Sequence, residues 1–167
     1  MDRTILVLDA YERHGSELLG FLVRATRDRA LAEDVLQEAY LRLVREARAG
    51  RSPTDPRAWL YRVAANQVVS AARRRATVAK WAPFLASGRS GGGSSLDVVL
   101  GREARDRVEA ALGVLTPDAR TAVLLAAHGL GTAAVATAIG RTELATRSLL
   151  CRARLRLRST LEREENR

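Results

Sequence analysis

Arg147, Ser148, Cys151 and Arg152 fall within six consecutive positions near the C-terminal end of the chain. At about 100° per residue they gather on one side of a helix, opposite the stripe Thr146, Leu150, Ala153, Leu157 and Leu161. A guanidinium can fork onto the two acceptors of a guanine edge, and a hydroxyl can bond to most base edges. The chemistry such a face offers is recognition of a base pair, not bond making. Arg154, Arg156 and Arg158 follow at spacings that spread them around the helix, which suits contacts to phosphates or to a partner. An ordinary amphipathic end helix with solvated arginines would carry the same residues. What favours DNA is the sequence just before: a short small-residue segment, Thr132–Ile139, then Gly140 and a capping Thr142. A short helix, a tight turn and a basic helix make a helix-turn-helix that lays its last helix in the major groove.

A second polar stripe lies earlier. Between Pro56 and about Arg75, helical spacing puts Arg62, Asn66 and Arg73 on one narrow line, beside an apolar side of Trp59, Leu60, Val63, Ala64, Val68 and Ala71. The segment ends in Arg73-Arg74-Arg75. An asparagine among arginines suits a nucleic-acid-reading face, and equally a solvated helix edge. No nucleophile with a base, no carboxylate pair at a defined spacing and no Gly-rich phosphate loop occurs, so no catalytic residue and no cofactor are expected. His14 and His128 stand far apart without Cys or carboxylate at ligand spacing, so no metal site is expected.

The elements that must position these residues are helices. Apolar residues make up 47% of the 167 positions, yet aromatics only 4%, and the apolar set is Ala, Leu and Val. That composition suits helices over sheets. Helical periodicity runs from Thr4 to about Thr26, where Gly15 is expected to loosen the helix. A second helix follows a cap at Asp28 and ends at Ala49-Gly50. Asp55-Pro56 opens the third, as a capping carboxylate followed by proline at the first helical position. Thr77–Gly101 contains Pro83 and the run Ser87–Ser95, rich in Gly and Ser, and reads as a flexible linker between two helical modules. Trp81, Phe84 and Leu85 are candidates for docking just before that run. The second module opens with a helix from about Leu96 to Val114. Thr116-Pro117 then starts a nearly all-apolar helix to Ala127, the expected centre of its module.

Net charge is +9, with Lys80 the only lysine. Such a balance favours polyanions or acidic partners. The single cysteine, Cys151, excludes an intrachain disulfide and fits a reducing compartment, so the cytoplasm is expected. No apolar run is long enough for a membrane span, and no signal peptide is read at the N-terminus.

Four segments in order resemble the extracytoplasmic-function group of bacterial RNA polymerase sigma factors. Ala32–Tyr40, AEDVLQEAY, is similar to the family's AeDlvQevF. Pro56–Asn66, PRAWLYRVAAN, is similar to WLyriArN. Leu115–Leu125, LTPDARTAVLL, is similar to Lp...R.v..L, and Leu150–Arg154, LCRAR, to L.RAR. The resemblance covers most of the chain. It implies an all-α protein of two small helical modules joined by a flexible linker. Residues 1–76 would be a region 2-like domain, 77–101 the linker threaded along the polymerase cleft, and 102–167 a region 4-like domain with the helix-turn-helix. It implies that Asp34, Gln37 and Glu38 dock on the clamp helices of the largest subunit of core RNA polymerase. Asn66 and the loop before Trp59 would melt the −10 element and capture an unstacked base, with Arg62 and Arg73 holding the backbone. Arg147, Ser148, Cys151 and Arg152 would read the −35 element of promoter DNA. An anti-sigma factor is a further candidate partner, and no membrane is expected. Five positions depart from the pattern. Leu144-Ala145-Thr146 stands where Gly-Thr-Val is usual, Leu149 replaces an arginine, and Ala134 replaces an acid. Two other readings stay open: a dimeric helix-turn-helix regulator, and a sigma-like decoy that sequesters polymerase or an anti-sigma factor.

Overall fold

The computed structural model describes residues 3–81 and 102–165. The described residues are helical with short connections and contain no strand. The chain divides into two compact units, taken here one at a time.

The first unit holds α1 (Arg3–Thr26), α2 (Arg29–Arg48) and α3 (Pro56–Trp81), each packed on the other two. The capping residues read from sequence take those roles. The Asp28 carboxylate accepts from the Leu31 N–H at 3.1 Å, and Asp55 accepts from the Ala58 N–H at 2.9 Å. Between α1 and α2, Arg27 adopts φ +56, an uncommon conformation for a residue with a Cβ. The turn is tied down by Arg27 N–H to the Val23 carbonyl at 2.8 Å and Asp28 N–H to the Thr26 hydroxyl at 3.2 Å. After α2, Gly50 takes φ +76, a left-handed residue closing the helix.

The core of this unit is Leu18, Phe21, Leu22, Leu43, Leu60, Tyr61 and Val69, all essentially without solvent exposure, filled in by alanines. Phe21 and Tyr61 pack with ring centroids 5.2 Å apart. Tyr40 donates its hydroxyl to the Ala10 carbonyl at 3.1 Å, and burial pushes its pKa up to about 12.

Two expectations are corrected here. Gly15 does not interrupt α1, which runs unbroken through it, with the Tyr11 ring 3.5 Å from where a Cβ would stand. The third helix does not stop at Arg75 but continues to Trp81, so the first five residues read as linker are helical. Nothing in Ala76–Ala79 breaks a helix; the next proline is Pro83. Leu8 and Tyr11, which recur at helical spacing with the core residues of α1, are nonetheless 57% and 55% exposed. Phe84, Leu85, the run Ser87–Ser95 and Leu96–Gly101 lie outside the described residues.

The second unit holds α4 (Arg102–Gly113), α5 (Pro117–Ala127), α6 (Thr132–Ile139) and α7 (Glu143–Glu165). α5, α6 and α7 pack on one another, and α4 packs on α7. Thr116 caps α5 through the Ala119 N–H at 3.3 Å, and Thr142 caps α7 through the Ala145 N–H at 3.2 Å. Leu125, Val135, Ala138 and Ile139 are buried, together with Leu150 and Ala153 from α7. One core residue carries a charge. Arg120 is only 7% exposed, and its guanidinium donates to the carbonyls of Leu112 and Leu115, each at 2.9 Å. It thereby adds a donor to carbonyls at the C-terminal end of α4 and in the turn after it, where the helix ladder runs out.

Candidate nucleic-acid interface

In the second unit α6 ends in a left-handed Gly140, φ +65. Arg141 N–H reaches back to the Ala136 carbonyl at 2.9 Å, and Gly140 N–H to Thr137 at 3.3 Å. This pair of bonds is the Schellman closure, which turns the chain sharply. Only Gly140, Arg141 and Thr142 separate the two helices. Arg141 pairs with Asp118 at the start of α5 at 2.7 Å, clasping the turn to the helix beneath it. Thr146 is fully buried and its hydroxyl donates to the Thr142 carbonyl at 2.9 Å. At this position Thr takes the place of the usual Val, and its internal bond satisfies the hydroxyl that burial would otherwise leave unpaired.

The remaining surface of α7 faces outward. Arg147, Ser148, Cys151 and Arg152 are all exposed, so the structure places the four sequence-derived residues on one open face. They are not equivalent. Arg147 and Cys151, with Arg154 and Leu155, line an open groove of about 470 Å³ whose other wall is Ala126, Leu130, Gly131 and Thr132. Ser148 and Arg152 lie outside that lining. Arg154, read from sequence only as a phosphate or partner contact, belongs to the groove. Arg147 is also engaged: its guanidinium pairs with Glu143 one turn earlier at 3.3 Å. Sequence reasoning passed over Glu143. The signal was there, an acid four residues before an arginine in the first turn of a helix. Of the departures from the family pattern, Leu144 is 74% exposed on this face. Leu149 and Ala134 are half-buried.

In the first unit, Arg62, Asn66 and Arg73 are all exposed along α3. Arg75 is drawn aside to Asp28 at 3.3 Å. The Leu31 N–H, with Arg75 as a lesser contributor, holds the Asp28 carboxyl below its ordinary range. In the first turn of α3, Arg57 bonds Glu17 of α1 at 2.9 Å and lies 5.2 Å over the Tyr61 ring, which ties the start of α3 to α1. Along α2, Asp34 and Gln37 are exposed, whereas Glu38 is half-buried beneath Arg42 at 2.8 Å and Arg45 at 3.5 Å. The hydrogen bond from Arg42 holds the Glu38 carboxyl below its ordinary range. Leu41 emerges between them on the helix wheel, 51% exposed. The sequence reading did not mark it as part of that face, since a lone leucine in a periodic segment reads as core.

Among the described residues no group of three His, Cys, Asp or Glu side chains is placed to hold a metal ion, and no helix is long and apolar enough to cross a membrane.

Comparison with known proteins agrees with this layout. The sigma-70 region 2 pattern matches residues 10–78 and the sigma-70 region 4 pattern matches residues 105–157. The chain is 35% identical over 119 residues to RNA polymerase sigma factor CarQ of Myxococcus xanthus, covering 70% of this chain and 66% of that protein. It is 35% identical over 155 residues to ECF RNA polymerase sigma factor SigJ of Mycobacterium tuberculosis, covering 86% of this chain but 47% of SigJ. With SigL of the same species it shares 31% over 157 residues, covering 91% of this chain and 86% of SigL. The fold is that of the sigma factor RpoE solved with the anti-sigma factor NepR from Bartonella quintana. The TM-score is 0.68 at 23% identity, over 95% of this chain and 93% of that one. The two matched regions in this order, with identity running through both, place the chain in the ECF family of RNA polymerase sigma factors, to which it belongs.

Proposed function

We propose that this chain binds core RNA polymerase and directs it to promoter DNA. In this reading residues 1–76 dock on polymerase and open the −10 element, residues 77–101 connect, and residues 102–167 read the −35 duplex. Asp34, Gln37 and Glu38 on α2 dock on the clamp helices, with Glu38 kept ionised by its two arginines. Arg62 and Arg73 hold the backbone around a base captured by Asn66, while Arg147, Ser148, Cys151 and Arg152 read base edges. The protein supplies binding and positioning only. It is not an enzyme and holds no cofactor, and the polymerase carries the chemistry, in the cytoplasm. An anti-sigma factor would compete for one of these surfaces.

The observation that carries the reading is the open face of α7. It is set by a three-residue turn against α6, in the same chain as the α2 and α3 faces that a plain helix-turn-helix repressor has no use for. Run-off transcription with purified core polymerase tests it. A promoter-specific transcript that requires this chain is expected. A dimer bound to a palindrome without polymerase would instead favour the regulator. The exposed Leu144 on the reading face is the one feature that favours a decoy, for which polymerase binding without any promoter-specific transcript is the expected result.

A further inference from the structure

Glu143 is the residue of the reading face that the function above leaves unused. It sits in the first turn of α7, the part of a recognition helix that meets base edges. Its side chain is 51% exposed. Nothing about overall affinity explains it. A carboxylate approaching DNA is repelled by the phosphates, in a protein whose net charge of +9 otherwise favours them. Its geometry is specific, however. The carboxylate Oε2 lies 3.3 Å from Nη2 of Arg147, with glutamate N-terminal to arginine by four residues, the favourable order on a helix. The two side chains therefore present a fork of donors and an acceptor side by side.

That pattern matches one base-pair edge. In the major groove a G·C pair shows two acceptors, N7 and O6, followed by the N4 amine donor of cytosine. On such a pair Arg147 would face the acceptors and Glu143 the amine. On an A·T pair the adenine amine could donate to the carboxylate, but it stands between N7 and the thymine O4, so Arg147 would no longer find two adjacent acceptors beside the amine. We propose that Glu143 is a specificity-determining residue that takes the cytosine amine of a G·C pair whose guanine is held by Arg147. The proposal rests on the reading of α7 as the −35-facing helix. Glu143 adds discrimination and lowers general affinity, while Arg147 is oriented by it before DNA arrives.

The test is selection from promoter duplexes randomised across the −35 element, using holoenzyme assembled from the full chain and core polymerase. Wild type, Glu143→Ala, Glu143→Asp and Arg152→Ala are compared. Wild type is expected to enrich G·C at one position by roughly fivefold to a hundredfold. Glu143→Ala loses that enrichment and binds random duplex more tightly. Glu143→Asp keeps the charge on a side chain one methylene shorter. It loses the enrichment while keeping the salt dependence of wild type, which separates contact from charge. Full enrichment in Glu143→Ala, with a relaxed position in Arg152→Ala, would remove Glu143 and leave α7 as the reader. Wild-type selection with no G·C-enriched position overturns the proposal as well. Unchanged preferences in both alanine variants would overturn the underlying assignment of α7 itself.

Discussion

Arg120 and Arg152 show how differently one residue type can be used. Arg152 is exposed on α7, and in the proposed reading its partner is promoter DNA. Arg152→Ala is expected to weaken promoter binding by about 1–3 kcal/mol and relax preference at one −35 position, read by competition between promoter variants. Unchanged binding would take it off the reading face. Arg120 is sealed inside the second unit, bonded to two carbonyls. Arg120→Ala leaves the Leu115 carbonyl without this donor and the Leu112 carbonyl with the Leu115 N–H alone, and a loss of roughly 1–3 kcal/mol of stability is expected in chemical denaturation. Hydrogen exchange should show that loss in α4 to α7. Protection as strong as in wild type there would deny Arg120 its structural role. The exposed group was legible in sequence, since an arginine opposite an apolar stripe must face water. The buried one was not. Its burial depends on Leu112 and Leu115, eight and five residues earlier, offering carbonyls that only the folded turn brings together.

Capped helix starts and glycine-closed ends, such as Ala49-Gly50 and Gly140, were readable, whereas the end of α3 was not. A cap is a local bond between one side chain and an N–H three residues on, so Asp28, Asp55, Thr116 and Thr142 announced themselves. The arginine run at 73–75 gave a false stop, because charged residues do not break a helix and Ala76–Ala79 holds neither glycine nor proline. Gly15 likewise misled, since α1 runs unbroken through it. The cap at Asp28 carries a pH signature. Its carboxyl titrates below the ordinary value of 3.8, chiefly through the Leu31 N–H. The stabilisation is therefore complete above that value and is lost as pH falls through the lower, folded-state pKa. Asp28→Ala is expected to cost about 1 kcal/mol at neutral pH and to flatten the acid limb of a melting-temperature profile. An acid limb as steep as wild type would contradict it. On the same element, Leu41 stands exposed amid Asp34, Gln37 and Glu38. A docking face with an apolar centre and polar rim is how interfaces gain strength. Leu41→Asp is expected to weaken core polymerase binding at least as much as Asp34→Ala with Gln37→Ala, measured by fluorescence anisotropy. Binding at wild-type strength in both variants would move the docking site elsewhere.

Across the whole molecule, charge is distributed for a polyanion but spent unevenly. Arg42, Arg51, Arg57, Arg75 and Arg141 are all held in ion pairs, so the gross count of 28 Lys and Arg, rather than the net +9, overstates what DNA meets. Holoenzyme affinity for promoter duplex should fall as salt rises, with a slope reflecting fewer phosphate contacts than the arginine count suggests. The two-unit plan was visible in sequence because the Gly- and Ser-rich run interrupts helical periodicity. The groove beside α7 was not, since its far wall comes from the turn after α5. One feature of that groove gives the protein a built-in reporter. The chain has a single cysteine, and Cys151 is exposed on the groove wall. Any thiol-directed dye can therefore attach at one place only, on the surface assigned to the promoter. The speed of that attachment, followed with and without DNA, becomes a direct clock for how often the helix is uncovered.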